Sequence, residues 1–332
     1  MDVDDGEVMR QAIDLAASVR GQTSPNPWVG CVIESVDGKR FTGATQPPGG
    51  MHAEAVALSV AGDQAKGATL WCTLEPCSHH GRTPPCADSV ISAGIKRVVV
   101  GITDPDPRVA GKGIERLRDA GIEVTVGVEQ EAISGQLAPY VKHRTTGRPW
   151  VVLKLAATID GRTAAPDGTS KWITGEPARL DTHRIRAESD AIIVGAGTVR
   201  TDDPSLTVRH VEGRDPIRVV LGKIPEDAKV HPAIEMEGGV VEVLDELGTR
   251  GVMQVMVEGG ATVAGEFHRA GLVDRYMIYL APKLFGGDDA RPLFAGPGAS
   301  TMADVWEGKI MGVQQLGDDL RVELANHMTR QA

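Results

Sequence analysis

One histidine and two cysteines constrain this chain more than any other feature of it. His52 stands in His52-Ala53-Glu54, and the sulfurs come from the two ends of Cys77-Ser78-His79-His80-Gly81-Arg82-Thr83-Pro84-Pro85-Cys86. An imidazole and two thiolates are the ligand set of a catalytic zinc site, which leaves the fourth tetrahedral position to water. Three separate segments must therefore meet at one point, and Glu54 must face that point too. Positions i and i+2 of a helix point to nearly opposite sides. His52 and Glu54 can serve one site only at a helix start, where both side chains reach over the open end. Cys86, after two prolines, is placed at the start of another helix, whose N-terminal dipole favours the thiolate. The apolar run Thr69-Leu70-Trp71-Cys72-Thr73-Leu74 reads as a buried strand that delivers Glu75-Pro76-Cys77 at its C-terminal end.

Zinc lowers the pKa of a bound water towards neutrality, and a glutamate beside it can carry the proton without binding the metal. His-x-Glu with Pro-Cys is a set that removes an amine from a nucleobase ring. The competing reading is a structural zinc with four closed ligands, for which Cys31 or Cys72 could serve as the fourth. Both lie in apolar strands, where a thiol behaves as a small core hydrophobe.

Around this set, strand and helix alternate along the whole chain, which predicts a parallel or mixed sheet with helices on both faces. Residues 6–20 place Val8, Ala12, Leu15, Ala16 and Val19 on one helical stripe. Thr23-Ser24-Pro25-Asn26-Pro27 is a rigid turn that can aim the Asn26 amide, followed by a strand over 28–33. Strands are expected at 96–102 and 122–128, with a helix at 113–120. A short polar junction, Thr145-Thr146-Gly147-Arg148-Pro149, separates a second α/β unit, giving domains 1–146 and 147–332. In that second unit, Gly195-Ala196-Gly197 and Glu258-Gly259-Gly260 each end a strand and open a helix. Neither matches the six-position dinucleotide fingerprint, and alone each reads as an ordinary strand-end turn.

A chain of 332 residues with 41% hydrophobic and 24% charged residues is that of a globular protein with two cores. The net charge of −10 speaks against a nucleic-acid track, and no apolar run is long enough to cross a bilayer. The acidic N-terminus and four unevenly spaced cysteines place the protein in a reducing, cytoplasmic compartment.

Over nearly its whole length the chain resembles the bifunctional riboflavin-biosynthesis deaminase/reductases. The likeness rests on Pro25-Asn26-Pro27-x-Val29-Gly30, His52-Ala53-Glu54 and the run from Leu74 to Cys86. In the second unit it rests on Lys154-Leu155-Ala156-Ala157-Thr158-Ile159-Asp160-Gly161-Arg162, Trp172-Ile173-Thr174, the run from Thr201 to Arg209, and Glu258-Gly259-Gly260. The eight residues between Cys77 and Cys86 separate this family from the general cytidine-type pattern. The resemblance implies a cytidine-deaminase-like α/β domain followed by a dihydrofolate-reductase-like one, with one Zn2+ per chain and NADPH as cofactors. It implies that His52, Cys77 and Cys86 bind zinc, that Glu54 shuttles the proton, and that Asn26, His79, Arg82 and the 104–112 loop face a pyrimidine ribosylphosphate. In the second unit it sets Lys154, Ser170, Thr174, Arg186, Leu206, Arg209 and Glu258 around the substrate. Ala157, Trp172, Thr198, Gly259 and Gly260 are set against NADPH, with Asp202 between cofactor and sugar. Arg186 and Arg209 suit the phosphate, since guanidinium pairs with it in bidentate fashion, and Lys154 and Asp202 both remain candidates for proton supply. The implied partners are the small-molecule substrate and further copies of the chain, as a dimer or tetramer, with no nucleic acid and no membrane.

Three positions depart from the family pattern: Thr45 stands where a histidine is usual, Asp106 where an asparagine is usual, and the region 222–251 is short, with Gly222-Lys223 at the strand end. A nucleoside or tRNA deaminase carrying an unrelated domain, and a zinc-stabilised binding module without activity, are the alternatives.

Overall fold

The structure, a computed structural model, describes residues 4–78, 84–107 and 109–326. His79 and Arg82 lie outside the described residues. The chain divides into two compact units, residues 1–147 and 148–332.

In the first unit the elements are α1 Asp5–Ser18, β1 Gly30–Glu34, β2 Arg40–Ala44, α2 Ala53–Ala61, β3 Thr69–Leu74, α3 Cys86–Ser92, β4 Arg97–Ile102, α4 Lys112–Asp119, β5 Glu123–Val126, α5 Gln130–Gln136 and α6 Ala138–Thr146. The sheet order is β2-β1-β3-β4-β5, with β1 antiparallel to its two neighbours and β3, β4 and β5 parallel. Val98, Val99 and Val100 are all fully buried, as a parallel strand covered on both faces requires. The first strand starts at Gly30, two residues later than the hydrophobic run suggested, because the N–H groups of Val29 and Gly30 donate to the Thr45 and Thr73 hydroxyls instead of a neighbouring strand's backbone. Next to Gly30, Cys31 faces Cys72 in register between β1 and β3, and both are wholly buried. Burial raises both thiols well above their ordinary values, as expected of core residues.

The second unit holds β6 Trp150–Thr158, β7 Arg162–Ala164, α7 Glu176–Glu188, β8 Ala191–Gly195, α8 Ala196–Asp202, β9 Ile217–Leu221, β10 Ile234–Met236, α9 Val240–Thr249, β11 Gln254–Val257, α10 Ala261–Arg269, β12 Arg275–Ala281, β13 Arg291–Pro292, β14 Gly308–Leu316 and β15 Asp319–Asn326. Its large sheet runs β10-β9-β8-β11-β6-β12-β15-β14, parallel from β10 to β12 and closed by the antiparallel hairpin β14–β15. Alternate residues divide the core. Val151, Leu153, Ile193, Val255 and Val257 pack with Phe267, Leu244 and Leu247 on one face, while Ile192, Val194 and Val220 pack with Leu206 on the other. Because β8 and β11 are parallel neighbours, the glycine-bearing ends Gly195 and Glu258-Gly259-Gly260 fall on the same edge of the sheet. No described helix is long and apolar enough to cross a membrane.

Candidate active sites

The three zinc-type ligands come from three local devices. His52 is the N-cap of α2, with extended backbone and no capping bond from its side chain, so the imidazole is free to point away from the helix. Cys77 follows the end of β3, and Cys86 opens α3, where its own N–H donates to Cys77 Sγ at 3.3 Å. The His52 Nδ1 lies 3.6 Å from Cys77 Sγ and 3.3 Å from Cys86 Sγ, and the three donor atoms fall within 4.8 Å of one another. Bonds of about 2.0 Å to nitrogen and about 2.3 Å to sulfur, at the tetrahedral angle, set N and S about 3.5 Å apart. The donor set therefore fits zinc. Among the described residues no fourth His, Cys, Asp or Glu joins this group, and Cys31 and Cys72 are occupied in the core.

The charges around the donors tell the same story. The Cys77 thiol is pulled down to about 4, first by its hydrogen bond with Cys86, with burial opposing and His52 assisting. Cys86 moves the other way, held up by that same bond and by burial. A dication relieves the conflict by favouring both thiolates. Glu54, in the first turn of α2 and 4% exposed, is raised to about 7 by burial first and by the Cys77 charge second.

These groups sit in the wall of a cavity of about 450 Å³ that also carries Asn26, Thr45, Glu75, Asp104, Asp106, Val109 and Tyr140. The Asn26 turn is fixed by reciprocal bonds, Asn26 N–H to the Thr23 carbonyl and the Thr23 hydroxyl to the Asn26 carbonyl, both 2.9 Å. Thr45 accepts the Val29 N–H at 3.1 Å, so its hydroxyl braces backbone. Asp106 is buried, and its N–H donates to Asp104 Oδ1 at 2.9 Å.

In the second unit the same edge of the sheet gathers residues from β6, α7, α8 and β11. Arg186 is buried and fully engaged: Nη2 and Nε donate to Glu258 Oε1 at 2.8 and 3.2 Å, and Nη1 to the Thr207 carbonyl at 2.6 Å. Burial acts to raise the Glu258 carboxyl, but the charges of Arg186 and Lys154 overcome it and hold it below its ordinary value. Lys154 is lowered by burial and by Arg186, with Glu258 partly offsetting both. Arg209 is exposed and gathers the hydroxyls of Ser205 and Thr207 with its Nη1, the latter at 2.8 Å. His183, which the sequence did not single out, accepts the Arg209 backbone N–H on Nδ1 at 3.1 Å. Burial, then Arg186 and Arg209, push its pKa down to about 4. The imidazole therefore stays neutral with its proton on Nε2. The loop holding Arg209 carries three non-glycine residues in the left-handed region: Asp203, Leu206 and His210, with φ of 42, 53 and 66°. Such strain persists only where surrounding bonds enforce it.

A second cavity of about 420 Å³ is lined by Thr158, Ser170, Trp172, Ile173, Lys283 and Phe285. It brings Ser170 and Trp172 together and adds Lys283, which sequence reasoning missed. The Lys283 ammonium donates to the carbonyls of Trp172 and Ile173 at 2.8 and 2.7 Å. Arg179 lies 4.8 Å over the exposed Trp172 ring and donates to the Thr174 carbonyl at 2.8 Å. Gly260 is the N-cap of α10 and brings no side-chain cap, and Thr198 Oγ1 is the atom nearest the space where its Cβ would lie. Gly259 has no room for a side chain, since a Cβ there would meet Val263 Cβ at 2.5 Å. An uncapped helix start beside bare glycine backbone receives the pyrophosphate of a dinucleotide, so the edge fits NADPH. Lys223 is held by Glu235 and Glu237 at 3.1 and 3.2 Å.

A buried carboxylic acid beside a three-donor metal centre, with a separate dinucleotide-receiving sheet edge on the same chain, defines an enzyme of two chemistries: a zinc hydrolase that releases an amine and an NADPH-dependent reductase. Residues 2–102 match the cytidine and deoxycytidylate deaminase zinc-binding region, and residues 149–322 match the RibD C-terminal domain. Riboflavin biosynthesis protein RibD of Mycobacterium tuberculosis is 43% identical, with 96% of each chain covered, and that of Escherichia coli is 39% identical over 95% of this chain and 98% of the other. The solved structure of Acinetobacter baumannii RibD, form 1, superposes with a TM-score of 0.91 at 40% identity, covering 97% of this chain and 98% of that one. The chain belongs to the RibD family of bifunctional riboflavin-biosynthesis enzymes, a deaminase joined to a reductase. The readings as a nucleoside or tRNA deaminase with an unrelated domain and as an inactive zinc-stabilised binding module are not favoured.

Proposed function

We propose that the first unit deaminates 2,5-diamino-6-ribosylamino-4(3H)-pyrimidinone 5′-phosphate and that the second reduces the ribosyl group of the product to ribityl with NADPH. The observation that carries this reading is the convergence of His52 Nδ1 on both sulfurs, at 3.6 and 3.3 Å, with the raised Glu54 carboxyl on the same helix start. His52, Cys77 and Cys86 would hold a zinc ion, whose chemistry would make hydroxide available at neutral pH. Glu54 takes the proton of the attacking water and returns it to the departing ammonia, a double task suited to a group that titrates near neutrality. Asn26, Asp106 and Val109 form the wall against which the pyrimidine lies. His79 and Arg82 join it on the resemblance alone.

In the second unit, Arg209 with Ser205 and Thr207 meets the phosphate, while Arg186 holds Glu258 and the Thr207 carbonyl in place. Ser170, Thr174 and Leu206 complete the sugar site. Ala157, Trp172, Thr198, Asp202, Gly259 and Gly260 lie against NADPH. Lys154, its proton loosened by burial, is the donor as the ring-opened sugar accepts hydride. A cytoplasmic location is supported by the four free cysteines. A homo-oligomer is supported by β14, whose solvent side exposes Ile310, Met311 and Val313. Incubation with the diaminopyrimidine ribosylphosphate, with and without NADPH, followed by mass measurement, tests the whole reading. One amine must be exchanged for oxygen without NADPH, and hydrogen added only with it.

A further inference from the structure

The carboxylate of Glu75 stands between a metal ligand and the wall of the cavity. It is 3% exposed and accepts four backbone N–H groups: Oε2 takes Asp104 at 3.0 Å and Gly111 at 2.9 Å, while Oε1 takes Gly113 at 2.8 Å and Ile114 at 3.2 Å. Helix α4 begins at Lys112 after Gly111, a left-handed residue without a capping side chain, so its first turn has orphan donors. Glu75 satisfies them from a distant strand, with its negative charge at the positive end of the helix. The packing leaves no slack. A Cβ at Gly113 would meet the Pro76 carbonyl oxygen at 2.0 Å. The other end of the loop is tied by Asp104, whose carboxylate accepts the Asp106 N–H at 2.9 Å and the Tyr140 hydroxyl at 3.1 Å. Between these two anchors lie Asp106 and Val109, both in the cavity wall.

We propose that Glu75 is a positioning residue of the deaminase, fixing residues 104–107 and 109–114 as the wall that the pyrimidine meets at the distance set by Cys77, two residues further on. It acts through the loop, since both of its carboxylate oxygens are committed to backbone N–H groups. Two carboxylate oxygens each hold two donors, so any group with one acceptor oxygen releases half of the loop. The proposal rests on the reading of this cavity as the pyrimidine site.

Glu75→Gln in the full chain tests it. In the variant one carboxylate oxygen becomes an NH2 facing two N–H donors. The expected result is a KM for the diaminopyrimidine ribosylphosphate raised about tenfold or more, with kcat changed less than about threefold. Zinc content and NADPH-dependent reduction of pre-deaminated substrate stay at the unsubstituted level, which shows the chain to be folded. Deuterium exchange at the amides of Asp104, Gly111, Gly113 and Ile114 speeds up, while β4 is unchanged. Unchanged KM, unchanged exchange, or loss of zinc or of reductase activity in E75Q overturns the proposal. Tyr140→Phe, which frees Asp104 at the other anchor, gives an independent check: KM rises about threefold or more with zinc retained, and an unchanged KM overturns the proposal. Absence of ammonia release by the unsubstituted chain sinks the reading of the cavity itself, and is distinguished from these outcomes because E75Q is then compared with nothing.

Discussion

Glu54 and Glu75 are acidic side chains of one cavity with opposite duties. Glu54 suits the proposed proton transfer because burial and the Cys77 charge lift it to about 7, whereas Glu75 is saturated by four backbone donors. Glu54→Gln is expected to keep zinc, lower ammonia release by about 10²-fold or more, and leave reduction of pre-deaminated substrate unchanged; comparable ammonia release would remove Glu54 from the chemistry. In the second unit two arginines divide along similar lines. Arg186 has its donors committed to Glu258 and Thr207, while Arg209 is exposed. Arg209→Ala should therefore raise KM for the phosphorylated substrate about tenfold or more with KM for NADPH little altered, measured by NADPH oxidation; the reverse order would refute its phosphate role. Residues such as His52, Cys77 and Cys86 were legible in the sequence because their chemistry is rare and their spacing admits few geometries. Glu75 and the Arg186–Glu258 pair were not, because bonds spanning 38 and 72 positions leave no local spacing to read.

Helix starts do much of the work in this fold, and that too was visible in part. The need for His52 and Glu54 to face one point placed the pair at the opening of a helix, and α2 begins at Ala53 with His52 as its cap. Two prolines placed Cys86 at the first position of α3. The segment between β9 and β11 was less legible: β10 has only three residues, too few to show alternation, although α9 does carry the helical spacing Val240, Val243, Leu244 and Leu247. At the other end of the first unit, α1 is pinned to the sheet by Asp5, which accepts both Arg97 terminal nitrogens and the Trp71 indole N–H at 3.0 Å. The Arg97 bond, against burial, lowers the Asp5 carboxyl below its ordinary value. A depressed folded pKa gives stability that is present above the unfolded pKa, about 3.9, and is lost as pH falls through the folded one. Asp5→Asn should thus destabilise the chain at neutral pH and shrink the difference from the unsubstituted protein below pH about 4, read as unfolding midpoints along an acid series. A difference that persists at the acid end would show that the ion pair is not its source.

At the scale of the whole molecule, each proposed site draws its named residues from one unit. The metal donors all lie within residues 1–147, and the Arg186–Glu258 pair with Lys154 within 148–332. Chelation of zinc is expected to abolish ammonia release while NADPH oxidation on pre-deaminated substrate continues; loss of both together would show the metal to be a support of the entire fold. The hairpin β14–β15 carries a separate consequence. A nine-residue edge strand that exposes Ile310, Met311 and Val313 among polar neighbours is a template on which another chain can assemble, and left bare it invites uncontrolled stacking. If a second copy shields it, thermal stability must rise with protein concentration, and Val313→Lys, a charged gatekeeper on that strand, should lower the sedimenting mass and flatten that dependence. A mass unaffected by the lysine would mean that the molecule guards this margin in some other way.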